Sequence, residues 1–395
     1  MKAQAYCYLD NAATTKMHPL VFKAMKPYLT EGYFNPSALY YPAQGEKAVL
    51  EGARKYLAGT LGARTSEVRF TSGGSEADNA AIKGIALASQ AKGNHLVVSS
   101  VEHHAVIESA RWLERRGFQV TYLPVDEKGM VSPENLEQAI TPQTVLVSIM
   151  TANNEVGTVQ PIAALGKVCH KYGVPFHTDA VQAYGHIPLD VSALGVDALS
   201  VSAHKLHGPK GVGFLYVKRG LKTEPLISGG AQERGYRAGT ENLAGIAGLE
   251  MAARLAFGDT SSADDDVSRF AMGEAGKHVH GLRCRMAHYI EQNIEDVRIN
   301  GDAESSLPGI LSVSFGGISG EALLGLLDQN GICASAGSAC ASGSLEPSHV
   351  LTAMGLSPEW AKGTIRFSFS AFTGQEEVSK ACRVLRDAVA HLRRV

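Results

Sequence analysis

The chain has 395 residues, enough for two domains or one large α/β domain with an appendage. Its 37 basic and 39 acidic residues leave a formal net charge of -2, which excludes the one-signed field of a nucleic-acid binder. At 45% hydrophobic residues it can bury a sizeable core. No apolar run approaches a membrane span, and the opening "MKAQAYCYLDNAATT" lacks a basic-then-apolar leader, so a cytoplasmic protein without a membrane partner is expected. Six cysteines (Cys7, Cys169, Cys284, Cys333, Cys340, Cys382) are scattered, with no C-x-x-C pair. Most are expected to pack as small hydrophobes, leaving one or two for chemistry.

In chain order, "EVRFTS" reads as a strand and "GGSEADNAAIKGIALAS" as a turn and helix. "HLVVSS" and "HHAVIESARWLERRG" repeat the pattern, as do "TVLVSIM" and "IAALGKVCHKYG", the latter closed by Gly173. "VPFHTD", "VDALSVS" and "GVGFLYVKR" are further strands. Short β-branched runs between amphipathic helices predict a mainly parallel sheet covered on both faces. "GDTSSADDD", from Gly258 to Asp266, is a polar, acidic boundary or helix lead-in. Beyond it a long helical stretch, the strand "ILSVSFGG", the helix "EALLGLLDQNG", the strand "TIRFSFS" and a final helix from about Gln375 suggest a smaller α+β domain.

Ligands of open α/β sheets bind beyond the carboxyl ends of the strands. Five unusual clusters fall at such ends: Ser72-Gly73-Gly74-Ser75, Glu102-His103-His104, Asn153-Asn154-Glu155, Asp179, and Ser202 with His204 and Lys205. If the strands are parallel, the clusters share one rim. The two glycines and Ser75 suit a phosphate at a helix N-terminus, although taken alone an ordinary turn capped by Ser75 is the stronger reading. Asp179 could cap the next helix, or hold a ring nitrogen of a cofactor protonated. Lys205, among small apolar neighbours, suits an amine nucleophile for a Schiff base. His103 could be structural. His103-His104 and Cys169-His170 fit no standard zinc spacing, so no metal is expected. Together a phosphate cradle, a carboxylate, a lysine and a flat-ring neighbour describe a pyridoxal 5′-phosphate site. The stretch "CASAGSACASGSLEPSHVL" is rich in small residues around Cys340, which predicts an exposed thiol on a loop able to swing, whereas Cys333 in "GIC" is expected to pack.

The chain resembles the cysteine desulfurases, pyridoxal-phosphate enzymes of the class V aminotransferase superfamily. The resemblance rests on "YLDNAATT", "NPSA", "FTSGGSEADN", "EHHAV", "NNEVGTVQPI", "HTDAVQAYG", "SAHKLHGPKGVGFLYV", "RGYRAGTEN", "GSACASGSLEPSHVL" and "IRFS", in family order from Tyr8 to Ser368. The cysteine loop looks like that of the iron–sulfur-supply branch. The resemblance implies fold type I: a large domain over 16–258 with a seven-stranded sheet, and a small α+β domain from 1–15 and 259–395. It implies a catalytic set of Lys205, holding the cofactor and moving the substrate α-proton, His103 as ring-stacking acid/base, and Cys340 as the thiolate that takes sulfur from L-cysteine, leaving alanine. Asp179 would pair with the pyridine nitrogen, Gln182 and Asn154 would lie by the phenolic oxygen, and Gly74, Ser75, Ser202 and His204 would hold the phosphate. Thr240 would reach the phosphate of a neighbouring subunit, implying a homodimer with shared sites. Arg366, assisted by Asn35, would bind the substrate carboxylate.

Two departures bear on this. Gly74 and Ser75 stand where Ala and Thr are common, and both substitutions keep a small residue and a hydroxyl. Longer relatives carry a C-terminal tail that engages an iron–sulfur scaffold; this sequence stops at Val395, so the usual scaffold contact is not expected and the acceptor, a scaffold or a thiolation protein, stays open. The competing readings are a selenocysteine lyase, another class V lyase or aminotransferase, which would not need Cys340, and a non-catalytic scaffold, against which Lys205, Asp179, His103 and Cys340 together argue.

Overall fold

Alternation along the strands settles the layering. The structure, a computed structural model, describes residues 6–260, 265–336 and 347–394. Strand β1 (Cys7–Tyr8) is followed by β2 (Val68–Thr71), β3 (His95–Ser99), β4 (Gln119–Leu123), β5 (Thr144–Ser148), β6 (Phe176–Asp179), β7 (Ala198–Ser202) and β8 (Gly213–Val217). β2 to β8 form one seven-stranded sheet in the order β2-β8-β7-β6-β5-β3-β4. Val97, Val147, Leu199 and Val201 point to one face, where they pack with Leu57, Leu165 and Leu249 of the helices Ala43–Thr60, Ile162–Tyr172 and Leu243–Ala256. Their neighbours Leu96, Val98, Leu146 and Ala198 point to the other, against Ile82 and Leu113 of the helices Gly74–Ala88 and His104–Glu114. Burial on both faces is why these strands read as continuous apolar runs.

The parallel expectation holds for β7, β6, β5, β3 and β4. β8 runs antiparallel to both β7 and β2. The stretch 206–212 between Lys205 and β8 is too short for a parallel crossover, which takes about a dozen residues. The chain instead reverses through His207 (φ 63°) and Gly211 (φ 79°). Two antiparallel steps leave β2 pointing with β7, so the carboxyl ends of β2, β3, β5, β6 and β7 lie on one rim.

Strands β9 (Val297–Asn300), β10 (Ile310–Phe315), β11 (Ile332–Cys333) and β12 (Thr364–Ser368) complete the set. β12, β10 and β9 make an antiparallel sheet, and β1 pairs with β11 in parallel. A second core lies here, joining Cys7 and Leu9 to Leu311, Val313, Phe367 and the helices Met272–Asn293 and Gln375–Leu392. The last helix buries Val378, Ala381, Cys382, Leu385, Ala388 and Val389, a stripe at helical spacing. Its start is fixed by Glu377, whose carboxylate accepts from Gly374 N at 2.7 Å. Among the described residues no helix is long and apolar enough to cross a membrane.

Candidate active site

The shared rim opens into a cavity of about 390 Å³. Gly74, Ser75, His103, Asn154, Asp179, Gln182, Ser202, His204, Lys205 and Arg366 all line it, with Asp78, Glu102, Glu155 and His349. Ten of the residues picked from the sequence are thus brought together by five strand ends and one strand of the second sheet.

The glycine turn is built without a side-chain cap. Gly73 occupies the N-cap of the helix Gly74–Ala88 at φ 147°, a conformation that a side chain would strain. Ser75 is one residue inside the helix, so the capping role considered for it does not occur. The first-turn N–H groups have no intrahelical partners and border the cavity, as an anion site requires.

The segment Tyr8–Thr15 runs under the site as a strap. Lys205 Nζ donates to the carbonyl oxygens of Ala12 (2.5 Å) and Ala13 (2.8 Å), and Gln182 Nε2 donates to Ala12 O (3.0 Å). The strap is clamped on one side by Thr15 Oγ1, donating to His204 O at 2.8 Å, and on the other by Asn11 Nδ2, donating to Ser368 O at 2.8 Å. Arg366 on β12 is 2% exposed. It donates from Nη1 to Asn154 O (2.7 Å) and pairs through Nη2 with Asp10 Oδ1 (2.8 Å), while its Nε has no hydrogen-bond partner.

Burial sets the charge state of the cavity. The Asp179 carboxyl is pushed up to about 6 by desolvation, opposed by the Val181 N–H at 2.8 Å and the charge of Lys205. His103 is pushed down to about 4, chiefly by burial and then by Lys205, and is neutral at pH 7. A neutral ring with Nδ1 accepting from Ala105 N is suited to lie against a flat cofactor and to exchange a proton at its other nitrogen. His204 is likewise pushed down to about 4.

Two predicted residues lie apart from the cavity. Asn35 is exposed and its Oδ1 accepts from Ser37 N at 2.9 Å, and Thr240 is exposed. Cys340 lies outside the described residues. Sequence reasoning did not single out Asp10, Asp78 or His349. Asp78 had a readable signal, since it stands four residues after Gly74 and shares its helix face. Asp10 and His349 had none, because their partners, Arg366 and the Glu102 carbonyl (2.9 Å from His349 Nε2), are hundreds of residues away.

The Aminotransferase class-V family matches residues 7–380. A protein named cysteine desulfurase IscS from Clostridium botulinum (strain Hall) is 49% identical over 380 residues, covering 96% of this chain and 93% of that one. One of the same name from Dictyoglomus turgidum is 46% identical over 388 residues, covering 98% and 95%. Among solved structures, a NifS-like protein superimposes with a TM-score of 0.89 at 37% identity over 98% of this chain and all of its own. A structure described as SspA in complex with cysteine gives 0.78 at 36% identity, over 93% and 99%. The chain therefore belongs to the cysteine desulfurases of the class V aminotransferase family, and its cofactor is pyridoxal 5′-phosphate.

The cavity fits that group. A Cβ added to Gly74 would come within 2.6 Å of Val181 Cγ2, so Val181 packing keeps the backbone of this first helical turn bare beside the cavity. A buried carboxylate and an amine, Asp179 and Lys205, face the same space. Their chemistry matches a pyridine nitrogen and an aldehyde.

Proposed function

We propose that this cysteine desulfurase converts L-cysteine to L-alanine by leaving a persulfide on Cys340, and that the persulfide supplies an iron–sulfur scaffold or a thiolation protein. The observation that carries the reading is the convergence of Lys205, Asp179, His103 and Arg366 on one cavity. Bound pyridoxal phosphate supplies an electron sink for negative charge at the substrate α-carbon. Asp179 holds the pyridine nitrogen's proton, Gln182 and Asn154 lie by the phenolic oxygen, and Gly74, Ser75, Ser202 and His204 hold the phosphate. Arg366 orients the substrate carboxylate through its fork. Lys205 Nζ would take the substrate α-proton, with neutral His103 as its proton partner. The Cys340 thiolate then attacks the substrate sulfur. An S–S bond forms, the C–S pair returns to carbon, and a proton completes alanine.

The protein acts as a homodimer in which Thr240 reaches the partner's phosphate. Support comes from exposed apolar residues that a monomer would leave wet: Leu29, Tyr33, Leu39 and Tyr41 on one segment, and Leu226 and Tyr236 on another. Both segments border the helix Ala43–Thr60, through Glu46 beside Gly32 and Arg54 bonded to Glu233. The chain divides into a large domain over 16–258 and a small one from 1–15 and 259–395, a reading supported by Cys7 and Leu9 packing in the second core.

Alanine and sulfide release from L-cysteine with a thiol reductant, together with the visible spectrum, tests the chemistry. Wild type should form both products in equal amounts. Cys340→Ala should keep the cofactor band and lose at least about a hundredfold in rate, the scale expected when a nucleophile is removed. Full activity in Cys340→Ala would sink the persulfide route in favour of direct elimination.

A further inference from the structure

Beneath the cofactor-facing rim lies a chain of polar side chains that the desulfurase reaction does not use. Ser148 Oγ lies 2.8 Å from His177 Nδ1, and His177 Nε2 lies 3.0 Å from Ser200 Oγ. The Ser200 hydroxyl in turn reaches the Asp78 carboxyl. All four residues are 1% exposed or less. They come from three adjacent strands, β5, β6 and β7, and from the helix Gly74–Ala88, so the chain crosses the sheet under the site. Asp78 ends it and lines the cavity together with Asp179. Its Oδ1 is buried, has no hydrogen-bond partner, and stands 3.8 Å from His177 Nε2, beyond bonding distance.

Two buried carboxylates on one cavity floor cannot both ionise cheaply. The local partners decide which keeps the charge. Asp179 accepts a backbone N–H from Val181 and faces Lys205. Asp78 faces Asp179 and Glu102, both acidic; the Ser200 hydroxyl alone favours its charged form, against burial and Asp179, and the basic group beside it is His177. Burial pushes His177 down to about 3, so that ring is neutral and offers no compensating charge. Glu102, pushed up to about 8 by burial, is itself protonated at pH 7 and adds none.

We propose that Asp78 is a positioning residue for the cofactor: held as a neutral acid on the Ser148–His177–Ser200 chain, it leaves the negative charge of the Asp78–Asp179 pair on Asp179, where the pyridine nitrogen meets it. The chain works as a fixed row of dipoles. Its hydrogen bonds reverse only together, because the neutral His177 ring donates from one nitrogen and accepts at the other, which makes the row cooperative. This inference rests on the reading that Asp179 pairs with the ring nitrogen.

The test uses the apo-protein titrated with pyridoxal phosphate and the reconstituted protein followed by absorbance across pH. Asp78→Ala should weaken cofactor binding about tenfold, the cost of one lost hydrogen bond in a charged network, and should move the pH at which the visible band titrates. Asp78→Asn, neutral and of the same shape, should restore most of the affinity and the wild-type band titration. Ser200→Ala, which removes the hydroxyl between His177 and the Asp78 carboxyl while leaving both carboxyls in place, should shift the band in the direction of Asp78→Ala. If Asp78→Asn is as damaging as Asp78→Ala, Asp78 carries charge and the proposal fails. If Asp78→Ala binds cofactor and titrates like wild type, Asp78 has no positioning role and it also fails. Should Asp78→Ala not fold, Ser200→Ala against Asp78→Asn decides in the same way. Asp179→Asn separates the two readings: a variant with unchanged affinity and spectrum would remove the premise, whereas a damaged Asp179→Asn beside a silent Asp78→Ala removes only the inference.

Discussion

At Gly74 the space is defined by one stiff neighbour. The Cβ of an alanine would meet Val181 Cγ2 at 2.6 Å, and a β-branched side chain has few rotamers into which it can retreat. Gly74→Ala should therefore lower pyridoxal phosphate affinity by about tenfold, roughly the 1–3 kcal/mol of an overpacked contact. Val181→Ala should restore it in the double variant. Equilibrium titration of the apo-protein checks both, and an unaffected single variant would show that the backbone shifts at no cost. This is also where the sequence was readable. A glycine pair at a strand-to-helix turn announces a close backbone approach, and Asp179, Ser202 and Lys205 could be placed because each directly follows an apolar run. Asp10 could not be, since only the fold brings it 2.8 Å from Arg366. Glu102 lay in a cluster noticed from the sequence, but its charge state depends on complete burial, which no local pattern encodes.

Among the elements, the loop after β8 is anchored by a buried ion pair. Arg54, on the helix Ala43–Thr60, makes a two-pronged contact with Glu233 at 2.6 and 2.8 Å and also donates to Val68 O at 2.9 Å. Glu233 accepts as well from Phe70 N at 2.9 Å, tying the loop to β2 just before the glycine turn. Glu233 and its neighbour Arg234 both have positive φ, 46° and 59°, which non-glycine residues adopt only when held. Further along, Arg237 pairs with Glu76 of the helix Gly74–Ala88 at 2.9 Å. With side chains 4% and 2% exposed, the Arg54–Glu233 pair is desolvated, and removing one partner strands the other. Glu233→Ala should cost about 3–5 kcal/mol in urea denaturation. A loss below about 1 kcal/mol, the range of exposed pairs, would mean that water reaches Arg54. The antiparallel course of β8 belongs to the same scale. Its apolar residues were legible, and the short stretch 206–212 carried a signal for its direction; its pairing with both β7 and β2 was not legible, because β2 lies far away in the chain.

For the whole molecule, these buried groups make folding sensitive to pH in both directions. Glu102 is pushed up from 4.5 to about 8 by burial, against the bonds from Ser99 and Met150. The folded protein thus holds a proton that the unfolded chain has lost, and stability falls as pH rises from about 4.5 through about 8. Asp78, also raised by burial and by Asp179, acts with the same sign. The histidines act the other way. His177 is pushed from 6.5 to about 3, and His103 and His204 to about 4, so the unfolded chain takes up protons first and stability is lost as pH falls below 6.5. Asp179, raised from 3.8 to about 6, partly offsets that acid-side loss. The apo-protein should accordingly melt highest near pH 6.5. It should lose several degrees by pH 8.5, since about 1 kcal/mol is worth roughly 2–4 °C even in a mid-sized domain. Glu102→Gln, neutral at every pH, should make the alkaline slope shallower, and adding Asp78→Asn should flatten it further. Calorimetric scans of the apo-protein at fixed ionic strength read the slope directly. An alkaline slope unchanged in the double variant would mean that neither carboxyl holds its proton in the fold.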